Sequence, residues 1–539
     1  MIKTGPSRIK HAFALAALLF AATLFFAQTA ATQTSAALSP QEKRGKQIYL
    51  KGQAGEGAEI VAIIGGSDLE VPATSFTCAN CHGLRGEGTK EGGLQPPPID
   101  WETLKKSHTS ALTRRERVPY TDETLARAIS AGLDPAGQPL HPGMPRYRMA
   151  RAQMADLIAY LKKLGQESDV EPGLTDEIIR VGAALPLSGP LAQIGEDIKA
   201  TLAASFAEVN SQGGIYGRRF ELVLEDSRGE PAQTLEATRR LIEQDNVFAL
   251  VGSFEPGDST AVNELIKSRE IPLVGPITLS PKLAVPPNPF IFYLLPTFAD
   301  QARTLVDFAA ARAKTKPARL AVISAESDFD RDALAGFKAQ AKMYAMEIVF
   351  EQSYQAGHLE AAQTVAALAR KKPDYLFLFG GAEDIKALAG EMEKAKLSVP
   401  LLSSVVMMGR SAFNLPASLA ARTFLAFPSA LPAQNDFAEF IALMQKSGVG
   451  LRSPAFQSVA FAATKIFFEA GKLSSRQLNR TTLVNSLEQL QDFRTGVVPP
   501  VTFGPNRRVG SRGSHIVGVD PEKKQYLPLT DRLSPKEQP

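Results

Sequence analysis

The chain has 539 residues, too many for one hydrophobic core, and its 44% hydrophobic and 22% charged composition excludes a disordered chain. A formal net charge of +4, with both signs mixed along the sequence, excludes the basic footprint of a nucleic-acid binder. Two cysteines in all exclude a disulfide-stapled scaffold and a four-cysteine zinc site.

Lys3, Arg8, Lys10 and His11 precede an apolar run from Ala12 to Ala27, and small and polar residues follow to Ala37. The pattern predicts a secretory signal over 1–37, cleaved after Ala31 or Ala37, and hence an exported, periplasmic protein. An uncleaved signal would instead leave a membrane anchor. No other run is long and apolar enough to span a bilayer. Ser39-Pro40-Gln41-Glu42 reads as a capped helix start, with the helix running through Tyr49 and ending near Gly52. The Gly-rich stretch 53–77 reads as a solvated loop.

Cys78-Ala79-Asn80-Cys81-His82 uses both cysteines, and a histidine follows at once. C-x-x-C-H is the attachment signature of c-type haem: the spacer puts both sulfurs on one edge of the macrocycle, and His82 reaches the iron as proximal ligand. One covalent haem c is the expected cofactor. Downstream, Thr121 caps a short helix ending at Gly132, and Met154, Leu157, Ile158, Leu161 and Leu164 recur at helical spacing before Gly165. Between these helices lies His141-Pro142-Gly143-Met144-Pro145, whose thioether at Met144 is the expected sixth iron ligand. Met149 is its first competitor, and His108 or His141 would give a bis-histidine iron. Lys105, Lys106, Arg114, Arg115 and Arg117 form a basic stretch that reads as a solvated face or as a lure for an acidic redox partner.

Gly45 and Tyr49, the CANCH motif, the G-M-P loop and Ile158-Ala159-Tyr160-Leu161 together resemble class I cytochrome c. The resemblance implies a small all-α domain over 38–165, Met144 as axial ligand, and first and last helices packed together near Gly45.

Residues 166–176 are polar, acidic and broken by Pro172-Gly173, as an interdomain linker would be. Short apolar runs then alternate with helical patterns: Ile178–Leu185, Phe220–Leu224, Phe248–Val251, Pro272–Val274, Leu320–Ser324, Ile348–Glu351, Tyr375–Phe379 and Pro400–Leu402. The alternation predicts βαβ units and parallel sheets, in more chain than one core holds. The segments Val181–Pro190, Glu208–Arg218, Leu222–Asp226, Glu230–Gln233, Ala249–Gly252 and Ile271–Pro276 recur in the order seen in type I periplasmic binding proteins of the leucine-binding branch, which the chain resembles over about 178–530. The resemblance implies a two-lobed α/β body over 177–530: lobe 1 about 178–297 plus 456–495, lobe 2 about 298–423 plus 496–530, and a polar tail at 531–539.

Ligands of such folds sit beyond the carboxyl ends of parallel strands. The expected cleft residues are Ser188, Ser253, Ser259, Thr278, Ser280, Phe329 and Gly381, with the hydroxyls of Ser253, Ser259, Thr278 and Ser280 suited to a ligand carboxylate. The departures from the resemblance are Ile194, Leu279 and Phe329, where hydroxyl-bearing residues are expected. Gly380-Gly381 offers no side chain, and Ser403-Ser404-Val405-Val406 supplies no acid for a ligand ammonium. Glu255, Asp258 and Glu383 are substitutes that read as surface residues.

The expected function is one-electron transfer through a His/Met haem, with no catalytic residues, a periplasmic redox partner such as a dehydrogenase, and a body that docks a partner or binds a small non-amino-acid ligand. The alternative is a solute receptor serving an ABC permease, with the haem as an accessory group.

Overall fold

The computed structural model describes residues 38–53, 59–65, 69–88, 96–109, 116–166, 169, 171–278, 281, 283–314, 317–431, 437–475 and 478–537. The signal read over 1–37 lies outside the described residues, as do Arg114, Arg115, Leu279 and Ser280. The chain divides into two compact units between Val170 and Glu171.

The first unit runs α1 (Pro40–Lys51), β1 (Val61–Ile64), β2 (Leu69–Pro72), α2 (Cys78–His82), α3 (Trp101–Leu104), α4 (Asp122–Ala131), β3 (Arg146–Arg148) and α5 (Arg151–Leu161). The capping box at the start of α1 is present: the Ser39 hydroxyl accepts from the Glu42 amide at 3.3 Å, and the Glu42 carboxylate accepts from the Ser39 amide at 2.6 Å. Helices α1 and α5 pack where α1 carries Gly45, because a Cβ there would lie 2.0 Å from the Asp156 carbonyl oxygen. Around that contact the Arg44 guanidinium grips the Asp156 carboxylate at 2.7 and 2.9 Å, and the Tyr49 and Tyr160 rings stand 5.5 Å apart.

The stretch 53–77 is not the solvated loop expected. Its β1 and β2 form an antiparallel hairpin, and β1 pairs on its other edge with β3 from beyond the methionine loop. Ile60 and Ala62 are buried in the unit's core beside Ile48, Tyr49 and Tyr147, and this burial holds the hairpin in place. The helical cytochrome-like unit thus carries a small sheet on one side.

The second unit opens with β4 (Ile178–Leu185), α6 (Ala192–Ser211), β5 (Arg219–Asp226), α7 (Pro231–Glu243), β6 (Ala249–Val251), β7 (Phe254–Glu255), α8 (Thr260–Arg269), β8 (Leu273–Val274), β9 (Ile277–Thr278) and β10 (Ile291–Phe292). Its sheet has the order β10-β8-β6-β4-β5, all parallel, and β7 pairs with β9 beyond its carboxyl edge. The second lobe follows with α9 (Phe298–Arg312), β11 (Arg319–Ala325), α10 (Asp328–Met343), β12 (Glu347–Tyr354), α11 (Ala361–Lys371), β13 (Tyr375–Phe379), α12 (Ala382–Lys394), β14 (Leu401–Ser404) and β15 (Thr423–Phe427). After α13 (Ala438–Lys446), α14 (Pro454–Leu473) and α15 (Arg480–Glu488), the chain adds β16 (His515–Asp520) and β17 (Gln525–Pro528) to give the order β12-β11-β13-β14-β15-β16-β17. The central strands read as continuous apolar runs, such as Tyr375–Phe379, because helices cover both faces of each sheet.

The lobe boundaries differ from those expected. Phe440, Leu443 and Met444 of α13 already lie in the first lobe's core, and so do Val497, Val498, Val501 and Phe503. The Phe503 ring meets Phe292 edge-on at 5.2 Å, and the Tyr293 amide donates to the Arg508 carbonyl at 2.8 Å. The expected second-lobe segment 496–530 is therefore split, and only its part from β16 onward joins the second sheet. Residues 531–537 of the expected polar tail are docked: Arg532 donates to the carbonyls of Arg512, Pro428 and Gly513 at 3.0, 3.1 and 2.7 Å, and Leu533 packs into the second lobe.

Candidate functional site

Helix α2 is a single turn that puts Cys78 and Cys81 three residues apart, on one face. Neither cysteine is in a disulfide, and Cys78 is half-buried and Cys81 exposed. Burial pushes the Cys78 thiol up to about 12. The turn is held by the Tyr49 hydroxyl of α1, which donates to the Gly83 carbonyl at 2.6 Å just beyond His82. His82 is half-buried, and burial holds its imidazole below the ordinary range, with the Pro97 carbonyl partly offsetting this. The neutral ring is the form that ligates a metal. Its Nδ1 is buried without a hydrogen-bond partner. Two thiols outside any disulfide on one helix face and a neutral imidazole one residue on are a donor set that fits covalent haem.

Met144 is half-buried in a turn where its amide donates to the His141 carbonyl at 3.0 Å, and the His141 ring accepts from the Gly143 amide at 3.0 Å. Arg146 on β3 donates to the carbonyls of Met144 and Leu140, which ties this loop to the sheet the sequence did not announce. Met149 instead packs in the apolar core that also touches Cys78, in a crevice shared with Ile48, Phe76 and Tyr147. His141 is exposed, and Lys105 is paired with Glu102 at 2.5 Å, leaving the basic stretch partly neutralised.

In the second unit the expected cleft residues do not converge. Ser188 is exposed and donates to Asp226 at 2.6 Å. Ser253 is buried and accepts from the Ala184 amide at 3.2 Å, inside the sheet. Ser259 is buried at the start of α8 with no partner for its hydroxyl. Thr278 is half-buried on β9, opposite Glu255 in register. Phe329 packs against Phe298 with ring centroids 6.0 Å apart, as part of the lobe core. Gly381 is exposed at the start of α12. The Ser403 and Ser404 hydroxyls turn inward, to the Leu378 carbonyl at 2.7 Å and the Gln301 side chain at 2.6 Å.

Asp258 and Glu383 are exposed as expected, but Glu255 is not a surface residue. It is 3% exposed, and neither carboxyl oxygen has a hydrogen-bond partner. Burial pushes it up to about 7, with the nearby Ser259 hydroxyl pulling the other way. Two further acids that sequence reasoning passed over, Asp330 and Asp384, are buried at the carboxyl edge of the second sheet. The only sequence signal for them is their place in the first turns of α10 and α12, where acids usually cap rather than bind.

A family model for periplasmic binding proteins matches residues 178–525, and one for cytochrome c matches residues 70–165. Leu/Ile/Val-binding protein homolog 3 of Brucella melitensis is 22% identical over 288 residues, 53% of this chain and 77% of that protein. The Leu/Ile/Val-binding protein of Escherichia coli is 22% identical over 205 residues, 38% of this chain and 55% of that one, so the chain spans about half the length of this relative. Among solved structures, a fatty acid ABC transporter substrate-binding protein from Thermomonospora curvata superposes with a TM-score of 0.52 at 23% identity, covering 67% of this chain and 94% of that one. A branched-chain amino acid ABC transporter protein from Thermus thermophilus with bound valine gives 0.52 at 17%, covering 67% and 97%.

Proposed function

Because the chain belongs to the periplasmic binding protein family and carries a cytochrome c domain ahead of that body, we propose that it is an exported one-electron carrier whose binding-protein body takes a small ligand or a partner. Covalent haem c is the cofactor a cytochrome c domain implies. When bound, the haem supplies a Fe(III)/Fe(II) couple. Cys78 and Cys81 would hold it through thioethers, His82 would be the proximal ligand, and Met144 the sixth, with Met149 the competing sulfur. The Arg146 clamp on the Met144 carbonyl fixes the loop that presents this thioether. No residue is assigned a catalytic step. No helix among the described residues is long and apolar enough to cross a membrane.

The observation that carries this reading is the donor set on α2, two thiols outside any disulfide and a neutral half-buried imidazole in one turn. Protein exported from a host competent in cytochrome maturation should keep haem through denaturing electrophoresis and titrate reversibly with one electron. Cys78→Ala with Cys81→Ala should lose the haem. Met144→Ala should abolish the thioether-ligated spectrum and lower the potential, while Met149→Ala should leave both in place. The opposite pattern would assign the sixth position to Met149, and haem lost on denaturation would end the reading.

A second reading, a solute receptor for an ABC importer, is favoured by the match to Leu/Ile/Val-binding proteins across the body. Ligand-driven closure of the two lobes, seen as a decrease in radius of gyration by solution scattering, is its test.

A further inference from the structure

We propose that the cleft of the binding-protein body is built for a small organic cation carrying no carboxylate, because the carboxyl edge of one sheet holds a buried acid and that of the other a buried acid pair, each beside a hydroxyl without a well-formed hydrogen bond. This rests on the reading that the body takes a small molecule.

In the first lobe, Glu255 stands on β7 beyond the carboxyl end of β6, where ligands of parallel sheets bind. It is 3% exposed and both its oxygens lack partners, and the Ser259 hydroxyl beside it, in a residue 2% exposed, lacks one too. A carboxylate so placed is costly until a donor or a positive charge reaches it. By sequence Ser253, Ser259, Thr278 and Ser280 suit a ligand carboxylate. With Glu255 among them, paired in register with Thr278, the polarity is reversed and a ligand carboxylate is repelled.

The second lobe repeats the arrangement independently. Asp330 and Asp384, each 6% exposed, lie at the carboxyl edge of β11 and β13. Their hydrogen-bond partners are uncharged: the Ser327 hydroxyl for Asp330 and the Gly357 amide, at 3.3 Å, for Asp384. The first turns of α10 and α12 favour negative charge at both positions, against the burial and the Asp384 carboxyl that push Asp330 up, so a cation arriving there would relieve the pair. The Tyr354 hydroxyl, in a residue 6% exposed, lies beside Asp384 within the field of Asp330, and no well-formed hydrogen bond satisfies it. Position 380 is glycine because a Cβ there would come within 2.1 Å of that hydroxyl. The exposed residues Gly357 and Gly381 border Asp384, so this acid lies close beneath the surface. An ammonium group offers the N–H donors and the charge that both sites lack, and an aliphatic diamine offers one to each lobe.

The test is calorimetric titration of the full haem-bearing protein at pH 8 with 1,4-diaminobutane, 1,4-butanediol, succinate and leucine. The diamine should bind at least tenfold more tightly than the diol, and succinate should not bind. Glu255→Gln and Asp384→Asn should each weaken the diamine by tenfold or more. Tyr354→Phe, which removes one oxygen without disturbing the fold, should weaken it several-fold. Binding of leucine, succinate or the diol in preference to the diamine, or diamine binding untouched by these substitutions, overturns the proposal and leaves the receptor reading standing. No binding by any of the four overturns both.

Discussion

A carboxyl group with neither oxygen bonded is tolerated when neutral and resisted when charged. Glu255 is such a group, pushed up to about 7 from an ordinary value near 4.5. Since the folded state holds its proton more tightly than the unfolded chain, the stability it permits is complete below about pH 4.5 and is lost as pH rises through 7. A shift of this size corresponds to about 3 kcal/mol. Glu255→Gln should therefore melt close to the wild type at pH 5 and clearly above it at pH 8 in the absence of ligand, followed by circular dichroism. Equal pH dependence of the two proteins would show that Glu255 is not held as described. The contrast with Cys78, Cys81 and His82 explains what sequence could tell. Haem chemistry needs neighbours in the chain, so the CANCH run declares itself. Glu255 acquires its character from Ser259, Tyr293 and the strand β9 packed around it, and its alternation with Phe254 on a two-residue strand carries no sign of burial on both sides.

Helix α1 can approach α5 only because position 45 lacks a side chain. The Gly45 Cβ site is 2.0 Å from the Asp156 carbonyl oxygen, which is backbone and cannot turn aside. Gly45→Ala should force the helices apart, loosen the Arg44–Asp156 pair and the Tyr49–Tyr160 contact, and cost about 1–3 kcal/mol in denaturant unfolding of the haem-bearing unit. Unchanged stability would mean that the two helices are not in this contact. Both helices were legible from capping residues and 3.6-residue spacing, and the strands Ile178–Leu185 and Tyr375–Phe379 were legible to the residue as bounded apolar runs. The hairpin β1–β2 was not, because what fixes it is β3, whose Tyr147 pairs with Ala62 from far along the chain.

At the scale of the molecule, each unit has its own core: one cluster around Tyr49 and Tyr160 in the first, and separate clusters on either face of both sheets in the second. Calorimetry should resolve more than one transition, and loss of haem through Cys78→Ala and Cys81→Ala should lower only the one that belongs to the first unit. A single transition shifted as a whole would contradict independent cores. The order of motifs made the two-lobed body legible, whereas the return path did not follow from them. Val497, Val498, Val501 and Phe503 are apolar in either lobe, and only packing against Phe292 and the α14–α15 face decides for the first.

The Arg44–Asp156 grip joins residues 112 positions apart, so the first unit is closed by its two ends. Closing so long a loop is entropically costly and slow, and contacts of this range form late in folding. A chain emerging amino end first cannot make this contact until α5 has been delivered. Until then Tyr49 has no Tyr160 to stack on, and the α2 turn has no finished core behind it. The topology thus sets a timetable in which Cys78 is fully reachable only from the moment it emerges until the last helix locks, while Cys81 stays exposed afterwards, and modification of the cysteine pair fits into that interval.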